Sequence, residues 1–146
     1  MFSTHYLSYK AANGSLTSID RLPVCCRQLE KRLAFEQNPT NVTVLCADAF
    51  TLDFCNEFDL VTIVGTTGIE SQNSFSLLAK ASEFIKIGGV LYYQSLDKAE
   101  TCDSVIRTAQ NAVFLLKAFE ADHAYSFSAQ YFIFEKATDA PSKPEL

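Results

Sequence analysis

The sequence predicts an α/β fold: a Rossmann-like parallel sheet finished by a C-terminal antiparallel strand pair. Three observations carry that reading. Short apolar, partly β-branched runs alternate with stretches of helical periodicity between residues 15 and 112, the pattern of strands joined by crossover helices. The runs VTVLC and FDLVTIV are almost continuously apolar, as strands covered on both faces of a parallel sheet are. Beyond them lie two aromatic-rich β stretches with no helix-length pattern between, which read as an antiparallel pair.

Taken in order, Ser3–Ala12 reads as a helix and Ser15–Asp20 (SLTSID), after Gly14, as a strand. Pro23 suits the first turn of the next helix, where its missing N–H costs nothing. Leu22, Cys26, Leu29 and Leu33 then form one apolar stripe reaching Glu36, and Asn38-Pro39 closes the helix. Val42–Cys46 is a buried strand running into Ala47-Asp48-Ala49, and Phe58–Val64 is another, bounded by Gly65. Ser71–Lys86 places Leu77, Leu78, Ala81, Phe84 and Ile85 on one helical face, and Gly88-Gly89 is expected to end it before the strand Val90–Gln94. Ala99–Ala112 carries Val105, Ile106 and Ala109 at helical spacing, and Phe114–Glu120 and Ser128–Lys136 are the antiparallel pair. Residues 1–136 are expected to form a single domain, and the polar, proline-bearing 137–146 a flexible tail.

A chain of 146 residues is about one domain's worth. Its 48% hydrophobic and 20% charged residues are the balance of a globular protein, which excludes disorder and collagen-like repeats. With 12 Lys+Arg against 17 Asp+Glu the net charge is −5, and no basic patch stands out, so nucleic acid is not an expected partner. No apolar run approaches the roughly 20 residues a membrane helix needs, and MFSTHYLSYK lacks a signal-peptide layout. The five cysteines, Cys25, Cys26, Cys46, Cys55 and Cys102, are an odd number with no C-x-x-C spacing. They are expected to be buried, reduced thiols of a cytoplasmic protein. His5 and His123 are the only histidines, too few to suggest a metal site.

Parallel sheets hold ligands beyond the carboxyl ends of their strands, so the residues just after each strand are the candidates. Asp20 ends SLTSID; a carboxylate there can accept from both hydroxyls of a ribose, or can cap the helix that follows. Asp48-Ala49 follows VTVLC; the carboxylate can accept from an adenine amino group while the next backbone N–H donates to the ring, or Asp48 can be a turn residue. One helix and one strand separate the two acids, which puts them on neighbouring strand ends. Val64-Gly65-Thr66-Thr67-Gly68 follows FDLVTIV, where glycines allow close approach of a ligand to the backbone or simply a flexible turn. Glu70 could orient an amine, and Tyr92, Tyr93, Tyr125 and Tyr131 could line a pocket, though solvated and packing roles suit these residue types as well. No residue is singled out as catalytic.

Over residues 15–136 the chain resembles the class I S-adenosylmethionine-dependent methyltransferases. SLTSID with its Pro-bearing helix resembles that family's second strand, VTVLCADAF its third, EFDLVTIVG its fourth, and LLAKASEFIKIGGVLYYQS the helix, turn and fifth strand. The final strand pair resembles the family's reversed strand. A weaker likeness, from VGTTGIES through GGVLYYQS, points to the nicotianamine synthase branch, which transfers an aminocarboxypropyl group. The resemblance implies S-adenosylmethionine as cofactor, with Asp20 at the ribose, Arg21 beside the adenine, Asp48 and Ala49 at the adenine edge, and Val64, Gly65 and Thr66 under the methionine part. The implied reaction moves a methyl group to a small-molecule acceptor.

One part of the family pattern is missing. No Gly-x-Gly occurs, and the first strand with its glycine loop should fall near Met1, so an N-terminally truncated form of the fold is expected. The strand gap would leave backbone groups unpaired and invite association with another chain. A non-catalytic binding or dimerisation module is therefore the competing expectation. A dehydrogenase fragment fits less well, because Gly-x-Gly-x-x-Gly is absent and the C-terminal pair is antiparallel.

Overall fold

The computed structural model describes residues 2–36, 41–64, 74–96, 100–123 and 128–139. Its elements are α1 (Phe2–Lys10), β1 (Leu16–Asp20), α2 (Pro23–Phe35), β2 (Val42–Cys46), a single 3-10 turn (Ala49–Thr51), β3 (Phe58–Ile63), α3 (Ser74–Phe84), β4 (Ile85–Leu96), α4 (Cys102–Asn111), β5 (Phe114–Asp122) and β6 (Ala129–Lys136). Contacts divide the chain into two compact units, Met1–Leu52 and Asp53–Leu146.

In the first unit β1 and β2 pair in parallel, from Leu16 opposite Val42 to Asp20 opposite Cys46. Pro23 starts α2 as expected, and Cys26, Leu29 and Leu33 form its buried stripe. Leu22, the fourth member of the expected stripe, is instead the N-cap residue and is 51% exposed. Asn41 fixes the far end: its Nδ2 donates to the carbonyls of Ser8 (3.1 Å) and Ala11 (2.8 Å). That ties the start of β2 to the carboxyl end of α1.

In the second unit the strand order is β3-β4-β6-β5, with β3 and β4 parallel and the remaining pairs antiparallel. The reversed pair read from the sequence is therefore present. Leu77, Leu78 and Ala81 of α3, Val105 and Ala109 of α4, Leu91 and Tyr93 of β4, and Phe132 and Phe134 of β6 form one buried cluster with Phe114. The Phe132 and Phe134 rings stack at 5.6 Å. Lys136 at the end of β6 is 1% exposed, and its Nζ donates to Asn56 Oδ1 (2.7 Å) and the Ile85 carbonyl (2.9 Å).

Three sequence expectations need correcting. Gly88-Gly89 does not separate helix from strand: α3 ends at Phe84 and β4 begins at Ile85, with the glycines inside it. The pairing explains why. Phe58 faces Ile85 and Leu60 faces Val90, so two steps along β3 match five along β4. The surplus residues bulge outward, with Gly88 at φ +78°. Secondly, β2 and β3 contain no buried residue, although their apolar sequences suggest strands covered on both faces. Each is an edge strand with a single partner among the described residues, which leaves it too few neighbours to be covered. Thirdly, only Cys26 is a buried thiol; Cys25 and Cys102 are half-buried, Cys46 and Cys55 are exposed, and all five are free. The tail beyond Asp139 lies outside the described residues.

Candidate functional site

The candidate residues of the first unit gather at the carboxyl ends of β1 and β2. Asp20 is the last residue of β1, directly opposite Cys46, and Asp48 lies two residues past Cys46. The spacing argument for neighbouring strand ends is thus realised. Asp20 Oδ1 accepts the Leu22 N–H at 2.8 Å, closing the turn into α2. Leu22 itself makes no side-chain cap, so Asp20 braces the helix entry from two residues further out. Asp48 Oδ1 accepts the Phe50 N–H at 2.9 Å and caps the 3-10 turn.

Each aspartate therefore does the local job that the sequence left open, and does it with one oxygen. Oδ2 of each has no donor among the described residues, and both side chains are exposed. Ala49 begins the 3-10 turn, so its N–H has no acceptor within that turn. The edge presents two carboxylate acceptors and a backbone donor to solvent. That set can bind a ligand rich in hydroxyl and amino donors. Arg21, next to Asp20, is exposed.

Beneath this edge the Asp20 carbonyl is shared. It accepts the Ala47 N–H at 3.0 Å and the Cys26 thiol at 3.3 Å. Burial first, then the adjacent Cys46 thiol and the Asp20 charge, push Cys26 up to about 11.

In the second unit Val64 follows β3 directly and is 43% exposed. Gly65 and Thr66 lie outside the described residues, as do Thr67, Gly68, Glu70 and Tyr125. At the carboxyl end of β4 stands a group that sequence reading missed. Tyr93, fully buried, donates its hydroxyl to Glu100 Oε2 at 2.6 Å, and Gln130 Nε2 donates to the Glu100 carbonyl at 2.9 Å. Ser95, opposite Gln130, is buried beside them, and its Oγ makes no hydrogen bond among the described residues. The only signal was Glu100 itself, an acid just after a strand and just before the Thr101 cap. Tyr92 and Tyr131 lie 6.3 Å apart, and burial raises the Tyr92 phenol. His123 is exposed and bonds Ser128 Oγ at 3.0 Å through Nδ1.

Among the described residues no group of three or more His, Cys, Asp and Glu could hold a metal ion. No helix among them is long and apolar enough to cross a membrane.

No family model and no curated protein matches the chain. Solved structures do. The cyclase SpnF aligns with TM-score 0.76 at 13% identity, over 92% of this chain and 71% of that one. The N-methyltransferase NodS from Bradyrhizobium japonicum, in complex with S-adenosyl-L-homocysteine, aligns with TM-score 0.65 at 14% identity, over 84% and 66%. M. jannaschii TYW2, in complex with AdoMet, aligns with TM-score 0.61 at 18% identity, over 84% and 58%. The chain thus spans little more than half of some matched structures, down to 54%. At such identities the likeness shows the fold alone: a mixed α/β, Rossmann-type arrangement of parallel and antiparallel strands, as read from the sequence. Fold alone does not fix activity, and the cyclase among these neighbours illustrates it.

Proposed function

We propose that this chain is the S-adenosylmethionine-binding part of a transferase that moves a methyl group to a small-molecule acceptor in the cytoplasm. One observation carries the reading: Asp20 and Asp48 stand on adjacent carboxyl ends of a parallel strand pair, each with one carboxylate oxygen committed to its own turn and the other open. Open acceptors at a strand edge suit ribose hydroxyls at Asp20 and the adenine amino group at Asp48, with the Ala49 N–H turned to a ring nitrogen. In this reading Arg21 flanks the adenine. The fold shared with NodS and TYW2, both solved with the cofactor or its product, supports it.

When bound, the cofactor supplies a methyl group activated on a sulfonium. The chain's own part is to hold and orient it, and positioning accounts for much of the rate in such displacements. The nicotianamine-synthase-like alternative gains no support, and residues 65–73 of its distinguishing stretch lie outside the described residues. A non-catalytic module remains the rival, and cofactor binding separates the two.

Calorimetric titration with S-adenosylmethionine and S-adenosylhomocysteine tests this. The parent chain is expected to bind in the micromolar range. Asp20→Ala and Asp48→Asn should each weaken binding at least tenfold, about 1.4 kcal/mol. Asp48→Asn keeps an acceptor for Phe50 but turns the open oxygen into a donor facing the adenine amino group, so binding should fall while the melting temperature holds. No heat with millimolar ligand moves the function to the module reading.

A further inference from the structure

Of the five free thiols, two meet under the candidate edge. Cys26 sits in the second turn-forming stretch of α2, 4% exposed, with its thiol on the Asp20 carbonyl at 3.3 Å. The same carbonyl accepts the N–H of Ala47, and Asp20 faces Cys46 across the β1–β2 register. The Cys26 thiol also stands within hydrogen-bond reach of the Cys46 thiol, so the two sulfurs meet from two elements, one residue exposed and one buried.

We propose that Cys46 and Cys26 form a peroxide-sensitive disulfide pair that ties the start of α2 to the end of β2. Exposed Cys46 meets the oxidant: its thiolate attacks hydrogen peroxide, the O–O bond breaks, and Cys46 becomes a sulfenic acid as one water (after protonation of the departing hydroxide) leaves. The Cys26 sulfur then attacks Cys46, the S–S bond forms, and the hydroxyl leaves as a second water with the Cys26 proton. Two thiols and one peroxide thus give one disulfide and two waters. The raised Cys26 thiol is the poorer first nucleophile, which leaves the attack on peroxide to exposed Cys46, and Cys26 gives up its proton only as it attacks the sulfenic acid. Cys25 is next in sequence, but adjacent cysteines bridge only with strain.

Bond formation contracts sulfur contact to about 2.05 Å. The Cys26 thiol gives up its hydrogen bond to Asp20, and β2's end, which leads into Ala47-Asp48, moves toward α2. Asp20 and Asp48 are the residues assigned above to the cofactor, so the consequence for binding, though not the cross-link itself, rests on that reading. Oxidation is expected to weaken S-adenosylmethionine binding at least fivefold and dithiothreitol to restore it.

Peroxide treatment of the full chain, followed by non-reducing peptide mapping, tests the bridge. A Cys26–Cys46 peptide should form in the parent and in Cys25→Ser, and be absent from Cys46→Ser and Cys26→Ser. Thiol titration should fall from five to three per chain. Over-oxidised Cys46 without a linked peptide, or a bridge through Cys25, overturns the pair. If the bridge forms and the oxidised chain binds the cofactor unchanged, the regulatory consequence is refuted. If neither form binds, the cofactor reading fails and the mapping still decides the bridge.

Discussion

Tyr93 and Glu100 put a buried phenol and a buried carboxylate within 2.6 Å, and the carboxylate gains a donor that a phenylalanine could not provide. Tyr93→Phe conserves the ring and its packing, so the expected loss is that of one bond to a charged group, about 1.5–3 kcal/mol. Urea denaturation reads it; an unchanged midpoint would show the bond contributes nothing. Cys26 makes a separate claim on pH. Its thiol, pushed from 9.0 to about 11, keeps its proton in the folded state after the unfolded chain has lost it. Stability is therefore whole below the lower value and declines as pH rises through that window. Tyr92 and Cys102, both raised by burial, act in the same direction. Denaturation midpoints across the window should fall less steeply in Cys26→Ala, and parallel slopes would refute the assignment. Asp20 and Asp48 were legible from strand-end position alone. The Tyr93–Glu100 bond was not, because it joins residues whose approach depends on how the chain returns from β4 into α4.

At the scale of elements, the bulge in β4 is where sequence reading and structure part. A glycine pair after a helical stripe suggests a stop, yet here the glycines let two strands of unequal length stay paired. A Cβ on Gly89 would come within 2.6 Å of Ile85 Cγ2, 2.8 Å of the Lys86 carbonyl oxygen and 3.1 Å of the Asp59 carbonyl oxygen. Two of those atoms are backbone and cannot swing aside. Gly89→Ala is expected to cost about 1–3 kcal/mol, measured by thermal or urea unfolding, and a neutral substitution would mean the bulge can re-form elsewhere. Helix α2, by contrast, follows its sequence closely: Pro23 opens it, and Cys26, Leu29 and Leu33 are buried in the predicted stripe. Helical periodicity is local and survives any arrangement of neighbours. Strand ends are not local, since each is set by its partner.

For the whole molecule, the pairing leaves four edge strands with one partner each among the described residues: β1 and β2 pair only with each other, β3 only with β4, and β5 only with β6. We propose that these open edges drive association of the chain with itself. Sedimentation velocity at rising concentration should show dimers or larger species; a single monomer throughout refutes this. The sequence by itself determined the order of elements, the reversed final pair and the two acids at strand ends, because periodicity and punctuation are properties of short segments. Only tertiary structure decided the bulge, the exposure of Cys46, the partnership of Tyr93 with Glu100 and the split into two units. Each of these depends on which distant segments meet, and contact across many residues leaves no mark in a local pattern.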